Sequence, residues 1–394
     1  MLGAIIGDVV GSIYEFNNIH TTEFPLFSPN STFTDDSIMT MAVAEWLLDD
    51  PEHTHSALIE VMERYYEEFP NPMGGYGASF AQWLATPTAQ KKPYNSFGNG
   101  SAMRASACGW VAHSRQEAMM LAKISAEITH DHPEGIKGAQ AVAGGVWMLR
   151  HGALRCDVQE FLESLGYTFE EDLKSLQSTY GFDETCQGTI PAAFTAYGES
   201  GSFEGAIRNA ISIGGDSDTV ACIAGAFSEA FEKSIPADIM REMRKRLPGD
   251  WWRIIWRIKA FENHNVSPDH IDFLKSEDIF VFGSNKAGQH YGGAAAYANK
   301  YFGAEWGVGE GITGKCYALP TMEGEKALAE AVLRFTRWAE DDQEHNYQVT
   351  AVGCGIAGYD VEDMALLFYE AAALPNVYLP QCFWDVIDKY NRIV

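Results

Sequence analysis

The segment ISIGGDSDTVACIAGAFSEAF, residues 211–231, decides how most of this chain is read. Gly214 and Gly215 break one helical run, and Asp216, Asp218 and Thr219 open the next. The apolar residues that follow recur at three- and four-residue spacing among Ala and Gly, the mark of a helix that packs closely on its neighbours. Two carboxylates at the mouth of such a helix need partners, because unpaired charge is costly to bury. A cation, an arginine or water would each serve.

The same helical spacing runs through SIMTMAVAEWLL, HSALIEVMERYYEEF, SRQEAMMLAKISAEITH and GIKGAQAVAGGVWMLRHG, with few strand-like runs before residue 260. This predicts an all-α domain over residues 1–262. At ENHNVSPDHIDFLKSED the periodicity stops. Beyond it, strands (DIFVFGSN, GKCYALPT, YQVTAVG, NVYLP) alternate with glycine turns and helices (GQHYGGAAAYANKYFG, EKALAEAVLRFTRWAEDD, VEDMALLFYEAAAL). Such alternation predicts a smaller α/β domain with a largely parallel sheet over residues 277–394. Two domains suit a chain of 394 residues.

Charge narrows the choice of partners. With 28 basic against 54 acidic residues the net charge is −26, so the surface repels polyanions and bulk nucleic-acid binding is not expected. The seven cysteines are scattered, without a C-x-x-C pair, which argues against a disulfide framework or zinc knuckle and for a reducing compartment. MLGAIIGDVVGS lacks a basic start and meets Asp8 early, so neither a signal peptide nor a membrane span is expected, and the predicted location is cytoplasmic.

Two further segments share the character of the opening one. GAIIGDVVGSIYEF carries Asp8 and Glu15 seven residues apart, one face of a continuous helix, and STFTDDSIMT sets Thr34, Asp35 and Asp36 before a helix. Taken alone, TDDS and GGDSDT each read equally as a helix cap whose acids complement the dipole. Together they also form an oxygen-only ligand set, suited to Mg²⁺, Mn²⁺ or Ca²⁺ rather than zinc.

The ordered set GAIIGDVVGSIYE, FTDDS, SFGNGSAMR, THDHPEG and GGDSDT resembles the ADP-ribosylglycohydrolase family, related to dinitrogenase reductase-activating glycohydrolase, over residues 1–250. The resemblance implies an all-α fold, two divalent cations (Mg²⁺ or Mn²⁺), and removal of ADP-ribose from modified side chains or small molecules. It implies one metal on Thr34, Asp35, Asp36 and Asp218, and a second on Asp216, Asp218, Thr219 and Glu15, with Asp218 shared. Glu15 is the first candidate acid/base and Asp35 the second. Gly98, Asn99, Gly100 and Ser101 offer backbone amides for a diphosphate. The resemblance also puts Phe97 at the adenine and His130 near the phosphates.

In the second domain, VFGSNKAGQHYGG and VGCGIAGY resemble the ligand loops of macrodomains. That likeness implies Asn285, with Gly292 and Gly293, beside a distal ribose, and the run from Gly353 through Gly355 and Gly358 to Tyr359 around a diphosphate. The expected function is a hydrolase of mono-ADP-ribosylated protein, arginine-linked first, with a second ADP-ribose-binding domain. A non-catalytic reader or immunity-type binder is the alternative, as is a hydrolase of small derivatives such as O-acetyl-ADP-ribose.

Overall fold

The computed structural model describes residues 1–261, 264–342 and 344–393. The chain divides into two compact units, Met1–Ile258 and Lys259–Val394. The expected limit of the first domain, residue 262, lies outside the described residues.

The first unit is multi-helical, and among its described residues there is no β-strand. Its centre is the helix Ser217–Glu232, buried on every side from Ser217 to Ala230, as an apolar helix must be when its small residues let neighbours approach all round. Helices Leu2–Gly11, Pro133–Arg150, Cys186–Gly198 and Phe203–Ile213 pack on it. Leu2–Gly11 is itself wholly buried. Its glycines at every fourth position, Gly3, Gly7 and Gly11, face Gly225, Ala221 and Asp218. A Cβ at Gly7 would run into the Ala221 carbonyl, which is backbone and cannot swing away. Gly7→Ala is therefore expected to cost about 2–3 kcal/mol, read as a fall of several degrees in the thermal midpoint. Gly77, whose Cβ position is open, provides the control. A Gly7→Ala protein as stable as Gly77→Ala would show that the helix pair can separate freely.

The sequence spacing put Asp8 and Glu15 on one helix, and the structure corrects this. The helix ends at Gly11, and Glu15 lies in a bend beyond it. Asn18 holds the turn that follows: its amide nitrogen donates to the carbonyls of Tyr14 (2.8 Å) and Glu15 (3.1 Å). Its side chain also exchanges two hydrogen bonds of 2.9 Å with the backbone of Gly215. One asparagine thus ties the Glu15 turn to the loop ahead of Asp216.

The second unit holds a six-stranded sheet: β1 (Val266–Ser267), β2 (Asp278–Ser284), β3 (Gly311–Thr313), β4 (Cys316–Pro320), β5 (Asn346–Val349) and β6 (Val377–Pro380), in the order β1-β6-β5-β2-β4-β3. All pairs are parallel except β3 with β4. Central strand β2 is buried along nearly its whole length, as a strand covered on both faces should be. Phe280 and Phe282 pack with Ala295, Ala298 and Ala304. β1 precedes the expected start at residue 277 but joins this sheet through β6. The predicted helix VEDMALLFYEAAAL forms two short helices, Val361–Leu367 and Tyr369–Ala372. No helix among the described residues is long and apolar enough to cross a membrane.

Candidate active site

Two helix starts meet at the floor of a cleft in the first unit. At the first, Thr34 caps helix Asp35–Asp49 by accepting from the amide of Asp36 at 3.3 Å. Asp8 holds that start from outside. One of its oxygens accepts the Thr34 hydroxyl at 2.7 Å, and the other the amides of Thr34 (3.0 Å) and Ser37 (3.1 Å) together with the Ser37 hydroxyl. Asp8 is therefore an anchor with both oxygens occupied. At the second, Gly214 (φ 81°) and Gly215 (φ 68°) take successive positive φ angles, which glycine adopts without steric penalty. They deliver Asp216 to the N-cap position of helix Ser217–Glu232, yet its side chain makes no capping hydrogen bond. It accepts instead from the Asn99 amide at 2.7 Å.

The sequence left cap and ligand readings open for both motifs. The geometry separates them: Thr34 caps, Asp216 does not. Carboxylate oxygens of Glu15, Asp216 and Asp218 lie within 4.8 Å of one another. Asp36 stands beside them, its Oδ2 accepting the Thr219 hydroxyl at 3.2 Å while its buried Oδ1 has no hydrogen-bond partner. Among the described residues, none of these carboxylates forms an ion pair.

Burial without counter-charge shows in the acidities. Burial first, then neighbouring acids, holds Asp35, Asp36 and Asp218 well above the ordinary carboxylate range. Burial likewise raises Asp216, against the opposing hydrogen bond from Asn99. Asp8 is pushed up to about 6 by burial, which its hydrogen bonds only partly offset. Glu15 rises to about 7 through burial and the charges of Asp216, Asp8 and Glu184. Such a set is short of positive charge. A buried oxygen without a partner, together with oxygen-only donors, fits a hard divalent cation.

The cleft above has a volume of about 400 Å³. Glu15, Asp35, Asp36, Asp216, Asp218, Thr219, Gly98, Asn99, Gly100 and His130 all line it. Thr34 and Ser101 are buried behind the wall, Ser101 donating its hydroxyl to the Gly135 carbonyl at 2.7 Å. Phe97 does not line the cleft: it is 47 % exposed, edge-on to His132 at 5.4 Å. The amides expected to hold a diphosphate are partly engaged, Gly98 by the Ser96 hydroxyl (3.1 Å) and Asn99 by the Glu184 carbonyl (2.7 Å). Helix Gly100–Met103 spans only four residues, so its dipole is weak. Sequence reasoning missed Asn18, Arg104 and Glu184, and gave no role to the loop Gly74–Phe80, which lines the cleft. The segment NPMGGYGASFAQWL does resemble a family loop that borders the substrate cleft, which was its signal.

In the second unit, a cavity of about 340 Å³ opens at the ends of the parallel strands, where α/β sheets place ligands. Asn285, Gly292, Gly293, Gly353 and Gly355 line it. The Asn285 amide is used locally, donating to the Gln289 carbonyl at 2.9 Å and accepting its amide at 3.2 Å. Gly358 closes a turn onto Gly355 at 3.1 Å and stands outside the lining.

A helical body that draws carboxylates from three distant segments into one cleft has the build of an acid-lined enzyme site. The chain belongs to the ADP-ribosylglycohydrolase family, whose model matches residues 1–262, and it is a hydrolase of ADP-ribosyl glycosidic bonds. It is 24 % identical to the ADP-ribosylhydrolase ARH3 of Mus musculus over 306 residues, covering 59 % of this chain and 82 % of that protein. It is 23 % identical to the ADP-ribosylarginine hydrolase Tri1 of Pseudomonas putida over 262 residues, 58 % of this chain and 68 % of that one. A solved ADP-ribosylglycohydrolase-related protein complex matches with a TM-score of 0.49 at 22 % identity, covering 66 % of this chain and 92 % of that one.

Proposed function

We propose that the protein is a divalent-metal-dependent hydrolase that removes mono-ADP-ribose from a modified side chain, arginine first. The observation that carries this is the meeting of Glu15, Asp216 and Asp218 within 4.8 Å, beside a buried Asp36 Oδ1 without a hydrogen-bond partner among the described residues. Thr34, Asp35, Asp36 and Asp218 would hold one Mg²⁺ or Mn²⁺, and Asp216, Asp218, Thr219 and Glu15 the other. Bound there, the cations would supply polarisation of the ribose hydroxyls and of an attacking water. The remaining work falls to the chain. Cleavage at the anomeric carbon develops positive charge on the sugar, which a cleft walled by carboxylates stabilises. Glu15, half-buried at the edge of the acid cluster, holds or moves the proton at its carboxylate, with Asp35 behind it. Gly98, Asn99, Gly100 and His130 are proposed to wall the diphosphate, backed by the buried Ser101, and the exposed Phe97, outside the cleft lining, to meet the adenine beyond it. Arginine is favoured because an acidic cleft suits a cationic leaving group, and because one relative is an ADP-ribosylarginine hydrolase.

The second unit is proposed to retain ADP-ribose in its own cavity, between Asn285 and Gly355, with Gly358 holding the turn behind Gly355, in the manner of a macrodomain. The protein is proposed to act in the cytoplasm.

The test is release of ADP-ribose from arginine-linked, serine-linked and O-acetyl substrates, each with Mg²⁺, with Mn²⁺ and with excess EDTA. Metal-dependent release from the arginine-linked substrate is expected. Release that persists in EDTA would sink the metal assignment, and preference for another linkage would sink the substrate assignment.

A further inference from the structure

Among the residues lining the cleft is Arg104, a buried arginine without a carboxylate partner among the described residues. Its guanidinium donates to the Ser125 carbonyl at 2.8 Å and to the Thr129 hydroxyl at 2.9 Å. The Thr129 oxygen therefore accepts from Arg104 and has one proton of its own to give. Two acceptors are within reach. The Ala126 carbonyl, 3.4 Å away, already takes the amides of Thr129 (3.0 Å) and His130 (2.7 Å). The His130 Nδ1 is only 2.7 Å away. Distance and spare capacity both send the proton to the imidazole.

We propose that Arg104 and Thr129 are positioning residues that fix His130 as the neutral Nε2–H tautomer, a hydrogen-bond donor aimed at the Gly98–Gly100 turn for a phosphoryl oxygen of the substrate. An Nδ1 that accepts carries no hydrogen, so the ring proton sits on Nε2. That nitrogen lies 3.4 Å from the Cβ position of Gly100 and 3.7 Å from that of Gly98. It makes no hydrogen bond among the described residues, and His130 lines the cleft. Burial, and then the charge of Arg104, keep the ring from protonating. The relay answers a need at this wall, because the amides of Gly98 and Asn99 are engaged within the protein. A neutral donor also binds an anion across a broad pH range, as a protonating histidine would not.

The tautomer stands on geometry alone, whereas its use rests on the diphosphate placement proposed above. The experiment separates them. In protein labelled with ¹⁵N-histidine, with the His130 signals assigned by their loss in His130→Asn, long-range ¹H–¹⁵N spectra are expected to show protonated Nε2 and unprotonated Nδ1. Thr129→Val is expected to mix the tautomers and to raise KM for the ADP-ribosylated substrate about tenfold. Thr129→Ser is expected to restore both. A wild-type Nδ1–H signature overturns the relay without any variant having to fold, and so does a Thr129→Val protein with unchanged signature and KM. An Nε2–H signature whose resonance does not move with saturating ADP-ribose upholds the relay and overturns the phosphoryl contact.

Discussion

Asp218→Asn is expected to lower kcat/KM for ADP-ribosyl hydrolysis by about a thousandfold or more. A single electrostatic group aimed at developing charge contributes about 10²–10³ in rate, and Asp218 is proposed as the carboxylate shared between both cation sets, so its loss weakens two sites together. The substitution keeps the shape: Oδ1 accepts the Thr219 amide at 3.0 Å, a role an asparagine oxygen can fill. Its effect on stability points the other way. Asp218 is buried among Asp216, Asp36 and Glu15, all of which disfavour its charge, so the variant in EDTA should melt at the same temperature as wild type or higher. Activity within tenfold of wild type at saturating Mg²⁺ would remove Asp218 from the metal set. A large fall in both activity and melting temperature would mean that its role is structural.

How much of this was legible in the sequence depended on the range over which each signal acts. Helix periodicity, the strand–turn–helix alternation after residue 277 and the glycine pair Gly214–Gly215 are local, and they locate both units and the Asp216 loop. The acids at 35, 36, 216 and 218 were legible because carboxylates at the start of apolar helices need an explanation. Interactions between distant residues were not legible. Asn18 bonds Gly215 across 197 residues and ties the Glu15 turn to it, yet it lies in a polar stretch with no pattern to mark it. Asn99 was expected to offer its amide to a ligand; the fold gives that amide to Glu184 and turns the side chain to Asp216 instead. Asp8 looked like a member of the acid cluster because composition cannot show that both its oxygens are spent on Thr34 and Ser37. Gly358 reads as part of a ligand loop, and no sequence pattern shows that its amide closes a turn onto Gly355.

The second large effect concerns stability without metal, and its sign follows from the same crowding. Asp35, Asp36 and Asp218 are held well above the ordinary range, Asp8 is raised to about 6 and Glu15 to about 7. In the unfolded chain these groups release their protons near pH 4, as free carboxyls do at about 3.9–4.3. Between that pH and the folded values, the native state binds more protons than the unfolded one, so stability falls as pH rises. The contribution of these groups is complete below about pH 4 and is lost on passing the folded values, which for Glu15 means about pH 7. Divalent cations bind only the deprotonated carboxylates, so they act where the loss occurs. At a hundredfold excess over Kd a cation stabilises by about 2.7 kcal/mol, or roughly 5–10 °C for a unit of this size. In EDTA the melting temperature is therefore expected to drop between pH 5 and pH 8, with Mg²⁺ or Mn²⁺ closing the gap at pH 8 and doing little at pH 5. Calorimetry at four pH values with and without cation measures both. A metal-free midpoint that climbs with pH over this range, or a cation shift equal at both ends of it, would mean that the cluster is not the uncompensated charge its burial implies.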